Sequence, residues 1–261
     1  IKFKPTNLNG KSSIFMGFAP YQSTTDQNYL AQNERTNTIN FASYSPLPYS
    51  DREIGNINEK FQGQGYLGSE AKESLLKNDD IQSNILHFAT HSYIDAKNPI
   101  FSGLLLTADE QNDGILYTHE LFDLKLNADL VTLSACNSGS GEFQKGEGAI
   151  SLARGFMYAN VPNVLMSLWA VSDQSTSTLM GLFYSKIYDG EQYSEAIRNA
   201  KLDYLVSADN NLAHPYYWGA FVYVGDVSEN RNTTWIWVIL GISIAAVLFY
   251  LYSISKKKAV I

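Results

Sequence analysis

The sequence predicts an α/β fold, a mostly parallel sheet sandwiched by helices, with one transmembrane helix at the C-terminus. Three observations predict it. Several short runs are apolar throughout rather than alternating: Asn84–His91 (NILHFATH), Asp129–Cys136 (DLVTLSAC) and Asn163–Trp169 (NVLMSLW). Strands of that kind are buried on both faces, as in parallel sheets. Segments of helical spacing separate them, giving the alternation of α/β domains. Finally, Trp235–Tyr252 reads WIWVILGISIAAVLFYLY without one charge. At about 1.5 Å per residue, roughly 20 such residues cross a hydrocarbon core about 30 Å thick.

Taken in order, Ser12–Pro20 (SSIFMGFAP) reads as a buried strand ended by proline. Residues Tyr21–Pro48, rich in Asn, Thr, Gln and Ser, read as a long surface loop. Ser50–Gln62 is a predicted helix, with Ser50 as its cap, Glu53 three residues on, and Ile54, Ile57 and Phe61 at helical spacing. Ser69–Leu76 is a second, short helix. Gly103–Ala108 and Ile115–Tyr117 flank the turn Asn112-Asp113-Gly114 as a hairpin. A flexible loop, Asn137–Gly148, follows the strand at Asp129, and Ala149–Asn160 is a helix. Asp173–Tyr188, capped by Asp173, and Ser194–Val206 are the last soluble helices, and Trp218–Val224 (WGAFVYV) the last strand. There is no internal repeat. Residues 1–48 thus form an N-terminal strand and polar loop, 49–228 the core, 233–254 the membrane helix and 255–261 a short basic tail.

Charge and cysteine content narrow the function. A net charge of -7 argues against nucleic acid as a partner, since phosphate binding needs a concentrated basic face. The lone Cys136 permits neither an internal disulfide nor a Cys-rich zinc site. The chain begins at Ile1 without a signal peptide and reads as the C-terminal piece of something longer. Aromatic residues at both ends of the apolar run, Trp235, Trp237, Tyr250 and Tyr252, suit the two interfaces. Lys256, Lys257 and Lys258 predict a cytoplasmic C-terminus. The expectation is a single-pass bacterial membrane protein with its globular domain on the outer, periplasmic side.

In parallel α/β sheets, reactive side chains collect where strands end. Two predicted strands end on such residues, His91 and Cys136. Neighbouring strands lie about 4.8 Å apart, so imidazole and thiol can meet at one sheet edge. There the His takes the thiol proton or stabilises the thiolate. Alone, a Cys after LVTLSA reads as a small buried apolar residue and a His at a strand end as a structural one; the pairing supplies nucleophile, base and location together.

Six segments, in order, resemble one family. They are LPYSDREIGNI (47–57), ILHFATHS (85–92), LVTLSACNSGSG (130–141), KGEGAISLARGFMYA (145–159), VLMSLWAVSDQSTSTLMGLFY (164–184) and HPYYWGAFVYVG (214–225). They are similar to the CHAT family, caspase-related domains often found behind tetratricopeptide repeats, with separase and the caspases as more distant relatives. The resemblance implies a caspase-like fold and a cysteine endopeptidase acting on protein or peptide substrates without a cofactor, which the apolar run at 233–254 would anchor to a membrane. It implies His91 and Cys136 as the dyad, and regulatory repeats upstream in the parent chain. Backbone N–H groups of Ser92 and Cys136 would form the oxyanion hole, although the family commonly has Gly where Ser92 stands. Asp173 is similar in position to an acidic residue with which separase-like enzymes hold the residue before the cut. An Asp there would select Arg or Lys; Asp173 also suits a helix N-cap.

Several alternatives stay open. Glu147 either braces the loop after Cys136 or sits near a helix start. His87 and His91 form H-x-x-x-H, but a strand setting, no Glu after the first His and no third ligand argue against zinc. His119 and His214 show no partner at recognisable spacing. The whole domain is either an active peptidase or a caspase-like interaction scaffold with weak or no turnover, because fold does not prove activity.

Overall fold

The computed structural model describes residues 14–21, 44–77, 83–95, 97–134, 147–225 and 241–243, with only the backbone at 147–149. The chain divides into two compact units, Ile1–Asp226 and Val227–Ile261. In the second, 241–243 are helical. The rest of the predicted membrane helix at 233–254 lies outside the described residues. Among the described residues no helix is long and apolar enough to cross a membrane.

The first unit is mixed α/β. Its strands are β1 (Ile14–Ala19), β2 (Gln62–Leu67), β3 (Ile85–Phe88), β4 (Ser92–Tyr93), β5 (Gly103–Leu105), β6 (Ile115–Tyr117), β7 (Leu130–Leu133), β8 (Asn163–Ser167) and β9 (Phe221–Val224). Its helices are α1 (Ser50–Asn58), α2 (Thr118–Leu121), α3 (Glu147–Tyr158), α4 (Asp173–Tyr188) and α5 (Tyr193–Ser207). The main sheet runs β2-β1-β3-β7-β8-β9, and β4-β5-β6 form a small second sheet. Every pair in the main sheet is parallel except β8–β9. The small sheet is antiparallel, and Gly114, in the turn before β6, takes a positive φ of 83°.

Side chains alternate across each strand, and both faces of the central strands are covered, which is why β3, β7 and β8 are largely apolar. On one face Phe15, Ile85, Leu130 and Leu165 pack with Ile54 and Ile57 of α1, Leu179 and Phe183 of α4, and Ala196 and Ala200 of α5. On the other, Phe18, Leu86, Phe88, Val131 and Met166 pack with Leu121, Leu152 and Phe156, and with Leu104 and Leu116 of the small sheet.

Several expectations need correction. The helix from Ser50 ends at Asn58, and Gln62–Leu67 forms β2. This polar edge strand (QGQGYL) has no apolar pattern; close backbone approach holds it instead. A Cβ on Gly63 would lie 1.8 Å from the Phe15 carbonyl oxygen. The N-cap of α1 is Tyr49 rather than Ser50, whose hydroxyl donates to Leu47 O at 2.7 Å. Glu53 does not close a capping box; its carboxylate turns inward. Asp173 is the first residue of α4, behind the N-cap Ser172. The short helix at Ser69–Leu76 is two 3-10 turns, Gly68–Glu70 and Glu73–Leu76. Helix α3 opens at Glu147, two residues before the predicted start at Ala149. The loop Tyr21–Pro48 is not all surface, because both of its described ends, Tyr21 and Tyr44, are buried.

Candidate functional site

The candidate site lies where the chain leaves the carboxyl ends of β3 and β7. These strands are direct parallel neighbours, with Phe88 opposite Leu133. His91 follows Phe88 by three residues, and Cys136 follows Leu133 by three. Cys136 itself, and the Glu147 side chain, lie outside the described residues.

After β3 the backbone crosses to the small sheet. Ala89 N–H donates to Phe18 O at 2.9 Å, the Thr90 hydroxyl to Leu105 O, and Leu105 N–H to His91 O at 2.9 Å. His91 and Leu105 are therefore the hydrogen-bonded pair and Ser92 and Leu104 the non-bonded one. That alternation directs the Ser92 N–H away from β5.

The His91 side chain is fully buried. Its Nε2–H donates to Ser45 O at 2.8 Å. A carbonyl only accepts, so this bond puts the proton on Nε2 and, in the neutral ring, the lone pair on Nδ1. Tyr21 meets the ring edge-on at a centroid distance of 4.7 Å, and Tyr44 lies tilted at 5.1 Å. Burial, and then the neighbouring Tyr44, pushes the Tyr21 phenol far above its ordinary range. Burial, with Tyr93 adding to it, raises Tyr44 to about 12. Both phenols therefore stay neutral beside the imidazole.

Asp173 is half-buried and is held by the start of α1, where Tyr49 N–H donates to its Oδ2 at 2.6 Å. Burial raises its carboxyl to about 6, and Glu53 and Asp51 add to the rise against the lowering effect of that N–H. The short segment 45–49 thus grips His91 at one end and Asp173 at the other. Four residue steps reach at most about 14 Å. Two of the predicted site residues are therefore tied to one strap.

A buried polar group escaped the sequence reading. Glu53 of α1 accepts from His87 Nε2–H of β3 at 2.6 Å, with side-chain exposures of 1% and 0%. His87 Nδ1 is 3.0 Å from the Tyr184 hydroxyl of α4, which donates to Thr132 Oγ1 of β7 at 2.8 Å. One signal was available: His87 is a polar residue inside an otherwise apolar strand, and buried polar groups require partners. Both His87 ring nitrogens are thus engaged, and no cluster that could hold a metal occurs among the described residues. His119 Nδ1 is 3.2 Å from Ile100 O near the surface, and His214 Nδ1 accepts from Tyr216 N–H at 3.2 Å.

The family model for the CHAT domain matches residues 17–226. Tetratricopeptide repeat protein 28 of Homo sapiens is 25% identical over 269 aligned positions, covering 87% of this chain and 10% of that protein. Its counterpart from Mus musculus is 25% identical over 230 positions, covering 73% and 9%. The chain thus spans about a tenth of the length of these curated relatives. Among solved structures, the Saccharomyces cerevisiae separase–securin complex superposes with a TM-score of 0.44 at 17% identity, covering 82% of this chain and 12% of that one.

Proposed function

The chain belongs to the CHAT domain family, and from that premise we propose that it is a cysteine endopeptidase with Cys136 as nucleophile and His91 as base. The observation that carries this reading is the direct pairing of β3 with β7, whose ends lead into His91 and Cys136. Cys136 Sγ attacks the scissile carbonyl carbon, and His91 Nδ1 takes the thiol proton. The tetrahedral oxyanion is held by the N–H groups of Ser92 and Cys136. His91 then protonates the leaving amine, leaving an acyl-enzyme. Water, deprotonated by His91, attacks that thioester and frees the new carboxylate. The bond from Nε2 to Ser45 O supports this order of events, since it turns the lone pair of the neutral ring to Nδ1.

Asp173 is the proposed selector of a basic residue before the cut. It is half-buried and acidic, and the same strap holds it and His91. The segment 233–254 is the proposed membrane tether, with Lys256, Lys257 and Lys258 of the following tail cytoplasmic and the domain outside. Repeats in the parent chain are the proposed regulators, in keeping with the name of the relatives. A second reading, an interaction module with weak or no turnover, draws support from the complete burial of His91.

Cleavage of a peptide library by wild type, His91→Ala and Cys136→Ala separates the two. The peptidase reading expects cleavage after Arg or Lys by wild type alone. Equal cleavage by all three, or none by wild type in its full parent chain, removes it.

A further inference from the structure

Beneath His91 and Asp173 lies the buried group that no step of this reaction uses: Glu53, His87, Tyr184 and Thr132. Desolvating a carboxylate and an imidazole in a core of Phe, Ile and Leu is costly, and apolar residues of like volume would serve stability as well. The four come from four elements, α1, β3, α4 and β7. Each of those elements carries or adjoins a part of the candidate site. His91 lies four residues past His87, and Cys136 four past Thr132. Tyr49, which holds Asp173, lies one helical turn before Glu53 and accepts its N–H at 2.9 Å. Asp173 opens the helix that bears Tyr184. His87 and Thr132 are themselves register partners across β3 and β7.

We infer that Glu53, His87, Tyr184 and Thr132 are a positioning layer that fixes the His91 ring against the Ser45 carbonyl by locking α1 and α4 onto the two strands that lead to the dyad. The inference rests on the reading of His91 as the base. The chain of contacts closes on itself. Ser45 precedes α1, α1 is pinned through Glu53 to His87, and β3 returns to His91, whose Nε2–H meets Ser45 O. Releasing Glu53 or Tyr184 frees the strap to drift. The Nε2–H then loses the Ser45 carbonyl as its acceptor, with no contact to substrate altered.

The test uses the full chain with ¹⁵N-labelled histidine, which gives only four imidazoles to resolve; His91→Ala assigns the relevant one. Wild type is compared with Glu53→Gln and Tyr184→Phe, both close in volume to the residues they replace. The expected result is a single Nε2–H tautomer for His91 in wild type and a mixture of tautomers in both variants. In the peptide assay, kcat falls on the order of 10²-fold with KM nearly unchanged, as for an ångström-scale misplacement. Should Glu53→Gln fail to fold, Tyr184→Phe decides. An unchanged His91 tautomer in folded Tyr184→Phe overturns the inference, whether or not kcat falls. Absence of peptide cleavage by wild type in its full parent chain would instead remove the peptidase reading, and the tautomer spectra would still judge the layer.

Discussion

The Tyr49 N–H donates to the Asp173 carboxylate at 2.6 Å, joining the first turn of α1 to the first turn of α4. Two helix starts that are remote in sequence thereby share one acid. Asp173 thus has a structural duty, which can be separated from the substrate-selecting one proposed above.

Asp173→Asn keeps an oxygen to accept the Tyr49 N–H and loses the charge. Its melting temperature is expected to stay near that of wild type. Its preference for Arg or Lys before the cut is expected to fall roughly 10- to 100-fold, the size of a lost charge-assisted hydrogen bond. Asp173→Ala loses both the anchor and the preference. Thermal melts and kcat/KM on matched basic and neutral peptides check both.

Because Asp173 is raised to about 6, its charge is present above that pH and lost below it. KM for basic substrates is therefore expected to rise as pH falls through about 6, and KM for neutral substrates to stay flat. The sign for stability is opposite. The folded state holds this proton more tightly than the unfolded chain does, so its contribution to stability weakens as pH rises from the usual carboxylate range to about 6. Asp173→Asn removes both dependences, which pH-resolved kinetics and denaturation measure.

Gly63→Ala places a methyl where the Phe15 carbonyl oxygen lies 1.8 Å away. The backbone must shift, so β2 separates from β1. A loss of about 1–3 kcal/mol is expected in urea titrations, with faster amide exchange confined to Gln62–Leu67.

Phe88 is buried and stacks on Phe18 at 5.1 Å with the planes 9° apart, and Phe156 lies 5.6 Å away. Phe88→Ala is expected to cost about 3–5 kcal/mol. Its position at the end of β3 makes kcat fall too, since His91 departs from the same strand end.

The central strands were legible because burial on both faces makes them apolar at nearly every position, His87 and Thr132 being exceptions. β2 was not, because contact of Gly63 with the β1 backbone defines it, and sequence pattern carries no record of that. Asp173 and His91 were legible as candidate site residues, whereas the strap 45–49 that holds both was hidden in a stretch read largely as surface loop. Glu53 illustrates the limit best. A Glu three residues after Ser50 has the same spacing whether its carboxylate caps the helix or turns inward, and its partner, His87, is 34 residues away. Cys136 is a candidate from its motif and its place after β7, and lies outside the described residues.

The measurement closest to the central claim is the alkylation rate of the thiol, which in a chain with one cysteine reports Cys136 alone. At neutral pH the native protein is predicted to react at least about 10-fold faster than the denatured chain, as a thiolate stabilised by a neighbouring imidazole does. His91→Ala is predicted to abolish that advantage. A native rate at or below the denatured rate, unmoved by His91→Ala, would contradict the pairing of these two residues.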